Sequence, residues 1–194
     1  MRKIIILALL LAGCSNNEPS DDAIKAALNK YNDDIHSGCF EFRGKLPISL
    51  DEIDQKSLIG KFLNGYAIAG LVTASPDGKN KHYELTPEGS KYYIELDALS
   101  VGLTIKKIKQ GAMCLGMLEV DNITRVILSP QGNEIKAFYT YKIDNLAKWS
   151  TQPEFQRNLE IVEKLVNGQH KDELSEILYK TGDGWVVRDM RTNK

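Results

Sequence analysis

The 194-residue sequence predicts an α+β fold, with a mostly helical part over residues 20–97 and an antiparallel sheet carrying one long packed helix over 98–194. Three patterns carry this expectation. Apolar residues recur at helical spacing in the first half, as in Ile24, Leu28, Tyr31 and Ile35, and in Leu58, Ile59, Phe62, Leu63 and Tyr66. They alternate in the second half, where Ile135, Ala137, Tyr139, Tyr141 and Ile143 share one side of a strand. Phe155, Leu159, Val162 and Val166 then repeat at helical spacing, giving an apolar stripe that needs a sheet to cover it.

The chain opens with Arg2 and Lys3, runs apolar from Ile4 to Ala12 and meets Gly13 and Cys14. A positive start, a short apolar run and small residues before a cleavage point form a secretory signal over residues 1–13. Nine residues in a helix rise only about 13–14 Å, too little for a bilayer core of about 30 Å. Leu11-Ala12-Gly13-Cys14 resembles the lipobox of bacterial lipoproteins. That resemblance implies that Cys14 becomes the lipid-bearing first residue of the mature chain, with several acyl chains that hold it on a membrane. Ser15, where an Asp would favour the inner membrane, implies by the same resemblance the outer membrane, with the protein facing the periplasm. Residues 14–19 include Ser15-Asn16-Asn17-Glu18-Pro19 and read as a short polar tether.

Without Arg2 and Lys3, 23 basic residues stand against 26 acidic ones, a net charge of −3. That balance argues against a nucleic-acid partner and against a basic patch on anionic lipid. No second apolar run of 18 or more residues follows. With Cys14 taken by lipid, Cys39 and Cys114 remain as an even pair in an oxidising compartment, and a Cys39–Cys114 disulfide is expected; two separate buried thiols are the alternative.

Ser20 caps the first expected helix, which runs to Asp34 with Asp21 and Asp22 in its first turn. Gly38 ends that region, and Cys39-Phe40-Glu41-Phe42 reads as a short strand. Ser49 is placed as the cap of a short helix through Ile53, followed by the Leu58–Tyr66 stripe, which Gly70 closes. Leu71-Val72-Thr73, a turn at Ser75-Pro76-Asp77-Gly78 and Lys81-His82-Tyr83-Glu84-Leu85 form a hairpin. Thr86-Pro87-Glu88-Gly89 starts another helix. Residues 49–93 resemble a winged-helix module of bacterial regulators, so residues 20–97 are expected to be winged-helix-like. With only Lys56 and Lys61 on the expected recognition helix, the resemblance implies a protein-contact or structural role rather than DNA binding.

Val101 to Ile105, Met113 to Val120, Ile123 to Leu128 and Glu134 to Ile143 are expected strands, the last two joined through Pro130-Gln131-Gly132-Asn133. Pro153 opens the long helix and Gly168 closes it. Leu174 to Lys180 and Trp185 to Met190 make a hairpin. Its Gly184-Trp185-Val186-Val187 resembles the last strand of small exported proteins of cystatin-like and NTF2-like fold.

No catalytic set emerges. Gly-x-Ser-x-Gly, Ser-x-x-Lys, Gly-x-x-x-x-Gly-Lys and His-Glu-x-x-His are all missing. His36, His82 and His170 stand at no ligand spacing, so no metal and no cofactor are expected. Asp51, Glu52 and Asp54 read as a solvated face, and Tyr92, Tyr93, Tyr139 and Tyr141 as core and rim aromatics. The sequence therefore predicts a non-enzymatic binding or assembly module, anchored through Cys14 and facing an unidentified protein or envelope partner. An envelope enzyme acting on peptidoglycan is the alternative.

Overall fold

The computed structural model describes residues 18–42, 44–100 and 106–188. Helix α1 spans Asp21–Asp34, capped by the Ser20 hydroxyl, which accepts from the Ala23 N–H. Strands β1 (Cys39–Phe42) and β2 (Ile48–Leu50) follow, then α2 (Leu58–Ile68), β3 (Val72–Asp77), β4 (Asn80–Leu85) and β5 (Tyr93–Ser100). The second half contributes β6 (Lys106–Cys114), β7 (Met117–Leu128), β8 (Glu134–Asp144), α3 (Pro153–Asn158), α4 (Glu160–Asn167), β9 (Glu173–Thr181) and β10 (Gly184–Val187). Single 3-10 turns stand at Asp54–Lys56, Gly89–Lys91 and Lys148–Thr151. The strands form three antiparallel sheets, ordered β1-β6-β5, β2-β4-β3 and β10-β9-β8-β7.

This corrects the expected fold class. The described residues form a mixed α and β structure dominated by strands, and residues 20–97 are not a helical, winged-helix-like part. Five of the ten strands begin before residue 98, and their partners cross the expected division. β1 and β5 flank β6, with Cys39 opposite Cys114 and Tyr93 opposite Met113. α1 meanwhile lies on the four-stranded sheet, where Ile24 and Leu28 are fully buried with Val120, Ile135, Leu178 and Val187. The reason is burial: a lone amphipathic helix or hairpin cannot cover its own apolar face, and the nearest free faces belong to the second half.

The expected long helix is also two helices. Leu159 leaves helical geometry at φ −137° and ψ 74°, and its side chain is buried between α3 and α4. The expected contact between the β8 face and the Phe155, Leu159, Val162, Val166 stripe holds for two of that face's five residues. Tyr141 and Ile143 share a core with the stripe, and the Tyr141 hydroxyl donates to the Leu165 carbonyl at 2.8 Å. Ile135, Ala137 and Tyr139 pack under α1 instead. The larger core gathers Phe62, Tyr66, Trp149 and Phe155, with Tyr66 stacked on Phe62 and Phe155 and edge-on to Trp149.

Leu174 packs against both cores, and Leu115 and Gly116 lead β6 into β7. Leu115 N–H donates to the Gly38 carbonyl, and a Cβ on Gly38 would stand 1.8 Å from the Gly116 carbonyl oxygen. No larger residue fits there without moving backbone. Beside it the Cys39–Cys114 disulfide is formed, joining strand neighbours 75 residues apart in sequence. Among the described residues, no helix is long and apolar enough to cross a membrane. The expected strand at 101–105 lies outside the described residues.

Candidate functional site

The polar constellation that the fold assembles lies on the β2-β4-β3 sheet. Antiparallel register sets Ser49 on β2 and Ser75 on β3 on either side of His82 on β4. Directly opposed residues share a face, and so do residues two apart on one strand, which brings Asp77 and Glu84 to the same side. The Ser49 hydroxyl lies 2.8 Å from His82 Nδ1 and 3.1 Å from Asp77 Oδ2, to which it donates, while His82 Nε2 lies 3.4 Å from Glu84 Oε1. A depression of about 340 Å³ is lined by Ser75, Pro76, Asp77 and His82.

These contacts make a chain running from Asp77 through Ser49 and His82 toward Glu84. Ser49 has one proton, so donation to Asp77 requires the imidazole to donate to Ser49 from Nδ1. Such a row offers a ligand hydroxyl, carboxylate and imidazole groups at once. The other tautomer, with the hydroxyl turned from Asp77 to an unprotonated Nδ1, would pair a hydroxyl with a base, the first requirement of a nucleophile. Two features weigh against nucleophilic work. The cluster faces water, with the His82 and Glu84 side chains 31% and 60% exposed. The Ser49 hydroxyl gives its one proton to Asp77 rather than to the imidazole.

Sequence reading missed this cluster because Ser49 reads as a helix cap and residues 75–78 as a turn. Ser49 instead sits in β2, and β3 runs on through Asp77. The available signal was period two: His82 and Glu84 share a strand face, but their opposite numbers depend on register, which no local pattern supplies.

The other predicted positions fall apart in the fold or take structural roles. Cys14 and the signal over 1–13 lie outside the described residues. Cys39 and Cys114 are consumed by their disulfide. His36 follows α1 with φ 50°, and its carbonyl accepts from Cys39 N–H. His170 Nδ1 lies 2.8 Å from Asp121 Oδ2. Among the described residues no group of three or more His, Cys, Asp or Glu side chains is placed to hold a metal. The Asp51 carboxylate accepts from the Ile53 and Asp54 N–H groups and thereby starts a 3-10 turn. Tyr139 and Tyr141 are core residues, Tyr93 accepts from Leu46 N–H, and Tyr92 packs edge-on to Trp149. Burial alone pushes the Tyr66 phenol far above the ordinary tyrosine range; burial, helped by Glu176 and Tyr31, does the same to Tyr139.

Exposed large apolar residues mark the other notable surfaces: Ile53 and Leu58 near the start of α2, Ile161 on α4, and Ile127 and Leu128 at the end of β7. Comparison with protein-family models, with curated proteins and with solved structures finds no match for this chain.

Proposed function

We propose that this protein is a lipid-anchored binding module of the bacterial cell envelope, held by acylated Cys14 in the outer membrane and facing the periplasm. The observation that carries the reading is the Leu11-Ala12-Gly13-Cys14 sequence behind a short charged apolar leader. The Cys39–Cys114 disulfide supports it, because such bonds persist in oxidising compartments. The binding role is supported by the site's form: an open, shallow polar face on a rigid sheet suits recognition better than water-excluded chemistry. Its ligand would be a protein or envelope component with polar groups matching the Asp77, Ser49, His82 and Glu84 row.

Mass measurement of the mature N-terminus tests the anchor. Acylated Cys14 is expected, and an unmodified processed chain would refute the reading. One observation favours a second reading, an acyl-transfer enzyme: the 2.8 Å contact between Ser49 and His82. A serine-directed phosphonate discriminates the two. Labelling of Ser49 that disappears in His82→Gln would favour the enzyme, and an unlabelled Ser49 favours binding.

A further inference from the structure

We propose that the end of the four-stranded sheet bearing Ile127, Leu128 and Trp185 rests on the bilayer that holds Cys14. This inference rests on the lipid-anchor reading and names the face that meets the membrane.

Three contacts give the direction of α1 against β7. Just after α1, the Gly38 carbonyl accepts from Leu115 at the entrance to β7. Within α1, the Asn29 side-chain oxygen accepts from Val120 N–H, and Lys25 Nζ donates to the Asp121 carbonyl. Helix numbers fall as strand numbers rise, so α1 runs antiparallel to β7. The start of α1 therefore points toward the Leu128 end of the sheet. Six residues lie between Cys14 and Asp21, and the seven chain steps span at most about 25 Å when fully extended. The start of α1 is therefore tied to within about that distance of the acyl anchor, a reach that includes the Leu128 end of the sheet.

The surface there has the composition of an interfacial contact. Leu128 stands opposite Ile135, on the side that α1 covers, yet it is 38% exposed. Ile127 stands opposite Lys136 on the other side and is 48% exposed. The 129–133 connection and the 182–183 turn lie at the same end, since Glu134 pairs with Tyr179 and Gly184 with Thr181. Half-buried Trp185 flanks that turn on the opposite edge strand. Two aliphatic side chains and an indole around a pair of polar turns fit the boundary between headgroups and acyl chains, where amphipathic rings settle. Arg125, which also lies 3.8 Å from Glu173 Oε2, and Lys136 both lie over the Phe138 ring on the Ile127 side of the sheet.

The same geometry orients the polar face. The β2-β4-β3 sheet shares its core with Leu118, Tyr141 and Ile143, at the opposite end of β7 and β8. The Ser49–His82 row is then presented away from the bilayer, where a periplasmic partner could reach it.

The test uses the acylated full-length chain, isotopically labelled, in vesicles of phosphatidylethanolamine and phosphatidylglycerol doped with a gadolinium-chelating lipid. Amide signals of residues 126–133 and 181–185 are expected to lose several-fold more intensity than those of β2, β3 and β4. The paired substitution Ile127→Asn with Leu128→Asn, at exposed positions that leave the cores intact, should remove most of that difference while Cys14 stays acylated. A chain that proves unacylated by mass fails both readings. An acylated chain whose strongest loss falls elsewhere, such as around Ile53 and Leu58, or is even over the molecule, leaves the anchor standing and overturns this inference.

Discussion

Tyr66 shows how a single polar atom is tolerated inside this protein. Its ring is fully buried among Phe62, Trp149 and Phe155, yet neither its hydroxyl nor the Trp149 indole N–H meets a hydrogen-bond partner. The ring is the stabilising part and the hydroxyl a cost, since an unpaired buried polar group forfeits about 1–3 kcal/mol. Tyr66→Phe should therefore leave urea stability unchanged or raise it by about 1 kcal/mol. A clear loss would show that the hydroxyl is bonded. The same burial has a pH consequence. The Tyr66 and Tyr139 phenols are pushed well above the ordinary range, so unfolded tyrosines release their protons first as pH rises past about 10. The unfolded state then binds fewer protons, and stability must fall with rising pH. Denaturation curves at successive alkaline pH values should show that decline, and Tyr66→Phe should make it shallower. Gly38 is the opposite case, a position defined by space. An added Cβ would collide with the Gly116 carbonyl oxygen, so Gly38→Ala should destabilise by about 3 kcal/mol or more in the same assay.

At the level of elements, local signals worked where an element is bounded by its own chemistry. α1 and α2 begin at serines whose hydroxyls accept from N–H groups three residues on; α1 is legible from its Ser20 cap and stripe, α2 from its apolar stripe alone. Thr86 likewise caps the Gly89–Lys91 turn through its hydroxyl, although only a single 3-10 turn follows where a helix was expected. The 153–167 stripe is legible as helical but not as broken, because the break at Leu159 follows from packing. Leu159 Cδ1 lies against Gly65 on α2, 3.0 Å from where a Cβ there would stand, so the residue at the break is held by a long-range contact. Leu159→Ala should cost about 2–5 kcal/mol, measured by denaturant midpoint. The disulfide acts at this scale too, tying β1 to the end of β6. Closing a loop of 75 residues is worth about 4.5 kcal/mol in the chain-entropy account. Replacing both Cys39 and Cys114 by Ser should lower stability by an amount approaching that figure. A negligible change would mean that the strand pairing alone holds the junction.

For the whole molecule, the expectation of a helical half followed by a sheet half fails because the two halves exchange faces: α1 covers the second half's sheet, while β6 pairs with two strands of the first. The face of β8 records this most directly. Its five alternating apolar residues are plain in the sequence, but α1 covers three of them and the α3–α4 pair two. At this scale the main prediction concerns location: Cys14→Ala should leave an unprocessed or soluble chain in fractionated cells. A processed, acylated product that still sediments with membranes would refute the anchor. What the sequence determined by itself is what depends on neighbours along the chain: the Ser20-capped helix, the apolar stripes and the alternating strands. The cysteine count, read with the expected oxidising compartment, also indicated the Cys39–Cys114 pair. Tertiary structure alone decided which helix covers which face, where the long helix breaks, and that Ser49, Asp77, His82 and Glu84 lie side by side. Those relations depend on strand register and on competition among apolar faces for cover, and both are set by contacts between residues far apart in the chain.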